Sequence, residues 1–139
     1  MNYKHILLAM HAAPDERPAV EVAFHLAETF DAAVTVLHVN DPGAGKAHMM
    51  MDSLPAIDEA QVRDLFRQWG LEEASERIDF LIEVHEDPVE AIATASKRAD
   101  LVVMGHHPKS RVVASLSDST DERVADYIDC PMVLVPLRG

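Results

Sequence analysis

The sequence contains few basic residues. Among its 139 residues, Lys and Arg number 12 against 24 Asp and Glu, so the formal net charge is −12. Nucleic acids and anionic lipid surfaces bind proteins through clustered Lys and Arg. This deficit therefore argues against nucleic acid as a partner, and we interpret the excess of acid as solvated surface that keeps the protein soluble.

Cysteine and long hydrophobic runs are also scarce. Cys130 is the only cysteine, so the chain cannot form an internal disulfide. No apolar run approaches the ~20 residues that cross a bilayer. Residues Met1–His5 lead directly into an apolar strand pattern rather than into a cleavable signal. We therefore expect a cytoplasmic protein with no membrane partner.

The remaining composition is that of an ordinary globular domain. Hydrophobic residues make up 48% and charged residues 26%, and the length corresponds to one domain. We predict a single domain over residues 1–139. The segment 40–56 is the least regular, since Pro42, Gly43 and Gly45 interrupt it, and we predict that it forms a variable loop.

Five short apolar runs alternate with four helical patterns. Continuously apolar strands are typical of a parallel sheet that is covered on both faces. The alternation therefore predicts an α/β fold with a mostly parallel sheet and helices on both sides. The predicted strands are 5–10, 34–39, 79–85, 101–104 and 132–135, and the predicted helices are 16–30, 57–77, 88–98 and 119–127.

Three segments carry a family resemblance. Lys4–Ala9 forms the first strand pattern, Asp100–His107 ends in Gly-His-His, and Val135–Arg138 closes the last strand. In this order they resemble the universal stress protein family, and the ends of the last two resemble its type A branch. The resemblance implies a Rossmann-like fold (adenine nucleotide alpha hydrolase-like), with five parallel strands in the order 3-2-1-4-5. It also implies a cytoplasmic homodimer with a stress-response role and no tight ATP binding.

The ATP-binding branch of that family differs from this chain at identifiable positions. That branch has an Asp after the first strand, where this chain has His11. After its fourth strand it has three spaced glycines, the last followed by Ser or Thr. Here the corresponding positions are Gly105, Pro108 and Asp118, so one glycine of three is retained.

These replacements oppose phosphate binding. Pro108 lacks the backbone N–H that a phosphate loop requires. The carboxylate of Asp118 would repel a phosphate charge about 4 Å away by roughly 1 kcal/mol in water and about 4 kcal/mol at an effective dielectric of 20. Ser119 and Glu122 fit a capping box that satisfies the helix N-terminus from within the chain. We therefore expect weak or absent ATP binding and no required cofactor.

The same positions form a degenerate nucleotide site in which ATP or AMP is the alternative ligand. Imidazoles at two strand ends could also hold zinc or orient water on a bound phosphate. We favour hydrogen bonding within the fold, because a metal needs three or four converging ligands. We predict no catalytic residues; the candidate site residues are Met10, His11, Val39, Gly105, His106, Pro108, Asp118, Ser119 and Thr120, with His11 and His106 as the metal alternative.

The last strand predicts a protein partner. Residues Pro131–Pro136 are apolar on both faces and come last in the implied strand order, which places them at a sheet edge. An exposed apolar edge promotes aggregation unless another strand covers it. We therefore predict a two-fold homodimer through this strand, as the resemblance also implies.

Overall fold

The computed structural model describes residues 2–44, 56–107 and 120–137. Five strands in these ranges form one parallel sheet in the order β3-β2-β1-β4-β5, which confirms the expected topology. The strands are β1 His5–Met10, β2 Ala33–Asn40, β3 Asp79–Val84, β4 Leu101–His106 and β5 Met132–Pro136.

Helices follow the strands along the chain. A short 3-10 turn, Pro14–Glu16, precedes α1, and Asp87 caps α4 by accepting the backbone N–H of Val89 at 3.0 Å. None of the helices in the described ranges is long and apolar enough to cross a membrane. The helices are α1 Arg17–Phe30, α2 Glu59–Gln68, α3 Glu72–Ser75, α4 Pro88–Ser96 and α5 Thr120–Ala125.

Both faces of the sheet are covered, as the continuously apolar strands predict. Alternate residues of each strand point to opposite faces, so each strand supplies two cores. One core packs β1 and β2 against α1 and α2, and the other packs β1 and β4 against α4 and α5. The first includes Leu8, Val20, Val36, Val62 and Phe66, and the second includes Leu7, Leu37, Ile92, Val102 and Val124.

The predicted helix over residues 57–77 is interrupted. It forms α2 and α3, which Trp69–Leu71 separate. Gly70 has φ +75°, a left-handed conformation that glycine adopts without steric cost and that ends helices. The apolar stripe of α2 runs up to the break, where Phe66 and Trp69 contact the same core, so periodicity alone did not reveal where the helix ends.

A buried polar chain anchors the start of the segment leading to α2. The His38 ring lies between the carbonyl oxygen of Met10, 3.0 Å from Nδ1, and Asn40 Oδ1, 3.1 Å from Nε2. Asn40 in turn donates to the carbonyl of Ile57 at 2.7 Å and accepts its N–H at 3.0 Å. These contacts join the ends of β1 and β2 to Ile57.

Candidate functional site

The candidate site lies where the order of the sheet reverses. The chain runs outward from β1 to β2 and β3 on one side, and from β4 to β5 on the other. Ligands of open α/β sheets bind at the carboxyl ends of the two strands that flank such a point. Here those ends are Met10 of β1 and His106 of β4.

A buried carboxyl group shapes the turn after β1. Ala12 has φ 61°, a left-handed conformation that is unfavourable for alanine. Glu16, only 1% exposed, accepts the backbone N–H of His11 at 2.9 Å and of Ala13 at 2.7 Å, one on each side of Ala12. Burial raises the pKa of the Glu16 carboxyl, and these two hydrogen bonds partly offset the rise. Glu16 therefore holds one wall of the site in a fixed conformation.

The opposite wall contains a hydrogen-bonded His–Asp pair. His106, the last residue of β4, donates from Nδ1 to Asp121 Oδ2 at 2.5 Å. Asp121 belongs to the first turn of α5 and is 5% exposed, so the imidazole provides a polar partner where water is nearly excluded. This contact ties α5 to the end of β4.

A second pair joins the two walls. His107 donates from Nε2 to Asp15 Oδ2 at 2.6 Å, linking the end of β4 to the 3-10 turn after β1. The side chains of His107 and Asp15 are 57% and 34% exposed. The other carboxylate oxygen of Asp15, Oδ1, is buried and accepts no hydrogen bond from the described residues.

Gly105 is explained by packing. A Cβ atom at this position would lie 2.5 Å from Leu137 Cδ1 and 3.0 Å from Leu137 Cγ. Leu137 is 2% exposed and belongs to the core beneath α1. The close approach of Leu137 therefore favours glycine here whether or not a phosphate binds.

Three predicted site residues line a small void. Met10, His11 and Val39 border it together with apolar side chains of β4 and α4, and its volume is about 30 Å³. Ligand pockets generally start near ~300 Å³. The part of the site that described residues enclose is therefore too small for a purine ring without rearrangement.

The other predicted residues divide into two groups. Gly105 and His106 lie at the end of β4, and Thr120 begins α5 next to Asp121. Pro108, Asp118 and Ser119 lie outside the described residues.

No three potential metal ligands converge anywhere in residues 2–44, 56–107 or 120–137. His106 Nδ1 instead bonds to Asp121, and His107 also bonds to a carboxylate. Both histidines therefore bond to side-chain carboxylates of the fold. β1 and β4 are neighbours in the sheet, so the loops that follow them lie side by side. This topology was the signal in the sequence that could have paired Asp15 with His107.

The geometry agrees with comparisons to known proteins. The family model described as Universal stress protein family matches residues 2–136. The chain belongs to the universal stress protein family. Universal stress protein A of Yersinia pestis is 24% identical over 146 residues, covering 99% of this chain and 95% of the relative. A universal stress protein of Methanocaldococcus jannaschii is 26% identical over 150 residues, covering 96% and 82%.

Solved structures of the family share the fold. A universal stress protein in complex with cAMP superposes with a TM-score of 0.65 at 16% identity, covering 99% of this chain and 100% of that one. The universal stress protein from Archaeoglobus fulgidus in complex with dAMP gives 0.61 at 18% identity, covering 97% and 99%. The fold is therefore that of the family, with the Rossmann-like sheet the resemblance implied.

Proposed function

We propose that this universal stress protein is a cytoplasmic, homodimeric stress-response module that binds ATP weakly or not at all and catalyses no reaction. The chemistry of the site at the ends of β1 and β4 supports this function. No Ser-His-Asp or Cys-His arrangement appears among its described residues, and its two His–Asp pairs connect elements of the fold.

The observation that carries the proposal is the buried carboxylate of Asp121. It occupies the first turn of α5, the helix start that a phosphate would use after β4, and it is bonded to His106. A phosphate placed about 4 Å from this charge would be opposed by roughly 4 kcal/mol at an effective dielectric of 20. At ~1.4 kcal/mol for each factor of ten, that repulsion is enough to change micromolar affinity into millimolar.

Two further features support weak binding. Gly105, the one retained glycine of the phosphate pattern, is accounted for by its contact with Leu137. The void beside Met10 and His11 measures about 30 Å³, so a base could enter only after the surrounding side chains moved.

Isothermal titration calorimetry with ATP and magnesium tests the proposal. We expect a dissociation constant near millimolar or no measurable heat, together with no phosphate release above a buffer control. A low-micromolar dissociation constant contradicts the weak-binding proposal. Phosphate release that the His106→Ala variant abolishes would instead establish hydrolysis.

A nucleotide sensor is the second candidate function. Asp15 Oδ1 is a buried acceptor without a donor among the described residues, and an unsatisfied buried acceptor costs about 1–3 kcal/mol. The amino group of adenine is a donor of the required kind. Relatives of the same fold have been solved with cAMP and dAMP, which carry fewer phosphate charges than ATP.

Titration with AMP separates the two candidates. A sensor should bind AMP more tightly than ATP, because fewer charges then approach Asp121. The Asp15→Ala variant should weaken AMP binding about tenfold, the value of a hydrogen bond to a charged group. The Asp126→Asn variant removes one exposed charge beyond α5 and serves as the control. Equal AMP affinity in wild type and Asp15→Ala would contradict the role of Asp15.

The homodimer is proposed through the edge strand, residues 131–136. β5 ends the sheet and bonds only to β4 within the described chain. Leu134 on this strand is 39% exposed. A second copy of β5 would cover both the backbone edge and this side chain.

A further inference from the structure

A larger cavity lies at the opposite end of the sheet. Its volume is about 610 Å³, within the ~300–1,000 Å³ range of small-molecule sites. It lies between the end of α1, the start of β2 and the segment from Gly70 to Ile78. Since β2 begins here, the cavity is at the amino ends of the strands, away from the site at Met10 and His106.

Apolar side chains form part of the walls of this cavity, beside a comparable amount of polar surface. Phe24, Val34, Leu71 and Ile78 line it, with Val34 and Ile78 buried and Phe24 and Leu71 half-buried. Gly70 also borders it, and a Cβ atom built there would have no neighbour within 4 Å. The break between α2 and α3 therefore leaves open space at this border of the cavity.

The rim carries negative charge. Glu28, Asp31 and Glu73 line the cavity, and Arg77 is the only cation among its lining residues, all of which are described. The final turn of α1 contributes further negative potential, because the carboxyl end of a helix carries a partial negative charge. That turn contains no basic residue to neutralise it.

Apolar side chains in the walls together with an acidic rim favour one class of ligand. An apolar body would be shielded from water by Phe24 and Leu71, while a cationic group would approach Glu28, Asp31 and Glu73. We propose that the cavity binds an amphipathic organic cation, a molecule with one ammonium group attached to an aromatic or aliphatic body. The site is separate from the nucleotide site. Its proposed ligand is positively charged, whereas a nucleotide is negatively charged.

Three probes of similar shape and different charge test the proposal. Phenylbutylammonium, phenylbutanol and phenylbutyrate are titrated into the full chain and followed by two-dimensional amide NMR. We expect the ammonium compound to shift signals of Val34, Gly70 and Leu71 and to bind about tenfold more tightly than the alcohol, from several weak charge contacts together. Raising the salt concentration should weaken binding of the ammonium compound and leave binding of the alcohol unchanged. Phenylbutyrate should bind least.

Variants at the rim identify the contacts. Glu73→Gln and Glu28→Gln should each weaken the ammonium probe by about twofold to fivefold, the range for an exposed charge pair. Glu90→Gln, an exposed change on α4 at the other face of the sheet, removes the same charge and should leave its affinity unchanged.

Three results would overturn the proposal. One is equal binding of the ammonium compound and the alcohol, which would indicate a plain apolar groove. Another is an equal effect of Glu90→Gln, which would indicate a general response to net charge. The third is the absence of any shift at Val34, Gly70 and Leu71 up to the solubility of the ammonium probe.

Discussion

His106 and Asp121 form a hydrogen bond of 2.5 Å between Nδ1 and Oδ2, although 15 positions separate them in the chain. The neighbouring His107 makes a similar contact with Asp15. The two pairs differ in their surroundings, since the Asp121 side chain is 7% exposed and the Asp15 side chain 34%. We therefore expect the two consecutive histidines to contribute differently to stability.

Replacing each histidine with alanine should separate these contributions. His106→Ala leaves the buried Asp121 carboxylate without its imidazole partner and should cost about 1–3 kcal/mol of unfolding free energy. His107→Ala breaks a more exposed contact and should cost less than about 1 kcal/mol. Urea denaturation of both variants measures the difference. Equal losses would show that the burial of Asp121 does not govern the energetics.

Removing the charge of Asp121 should improve nucleotide binding. Asp121→Asn eliminates the carboxylate that opposes a phosphate at the start of α5, so ATP affinity should rise by about tenfold to a hundredfold. Calorimetry on this variant and on Asp126→Asn, an exposed change of the same charge, provides the measurement and its control. Unchanged ATP affinity in Asp121→Asn would mean that other residues exclude the phosphate.

The two described glycines that matter to the fold should respond differently to alanine. Gly105→Ala places Cβ against Leu137 Cδ1 and should cost about 1–3 kcal/mol from overpacking. Gly70→Ala meets no neighbouring atom but retains a left-handed φ, which should cost about 1–2 kcal/mol.

The Leu137→Ala background distinguishes these causes. There Gly105→Ala should cost almost nothing further, because the crowded side chain is gone, while the cost of Gly70→Ala should persist. A thermal or urea double-mutant cycle measures the coupling. An undiminished cost of Gly105→Ala in that background would point to a requirement other than the contact with Leu137.

The two edge strands offer a matched test of the homodimer. Leu134 on β5 is 39% exposed and Leu81 on β3 is 37% exposed. If β5 forms the interface, Leu134→Lys should give a folded monomer, and Leu81→Lys should leave the dimer intact. Light scattering with size-exclusion chromatography reports the mass. A dimer that survives Leu134→Lys would place the interface elsewhere.

Stability should depend on the ionisation of Asp100. Its carboxylate accepts the backbone N–H of Lys4 at 2.8 Å and of His5 at 2.9 Å, and these bonds lower its pKa. A lowered folded-state pKa adds stability above the unfolded value of about 3.9, and this stability is lost as the pH falls through the folded value. Asp100→Asn should therefore be less stable than wild type at neutral pH, with the difference shrinking below about pH 4. Urea denaturation measures the difference in unfolding free energy between wild type and Asp100→Asn. A difference that stays constant down to pH 3 would contradict the role of the Asp100 carboxylate.

Much of the fold could be predicted from the sequence. Apolar runs and their alternation with helical patterns were sufficient for the five strands, and the resemblance supplied the order that the sheet confirms. The predicted edge positions of β3 and β5 are also confirmed. The break at Gly70 was missed because a single glycine is compatible with a helix, and only its positive φ ends α2.

Less of the site could be predicted. Strand ends identified Met10, His11, Val39, Gly105 and His106, but no local pattern pairs Asp121 with His106 or Asp15 with His107. Asp15 and Glu16 follow β1 in a turn whose geometry depends on the left-handed φ of Ala12, which no local pattern reveals. The contact of Leu137 with Gly105 likewise depends on how far the chain continues beside β4 after β5.

The pairing of Asn40 with Ile57 should allow the chain to accept inserted sequence between these two residues. Two hydrogen bonds fix these residues side by side, so the stretch between them begins and ends at one place on the fold. The entropy of closing such a loop grows only with the logarithm of its length, about 0.6 kcal/mol for each doubling. Inserted sequence, including a peptide tag or a small folded domain, should therefore be accommodated between Asn40 and Ile57 without loss of the sheet.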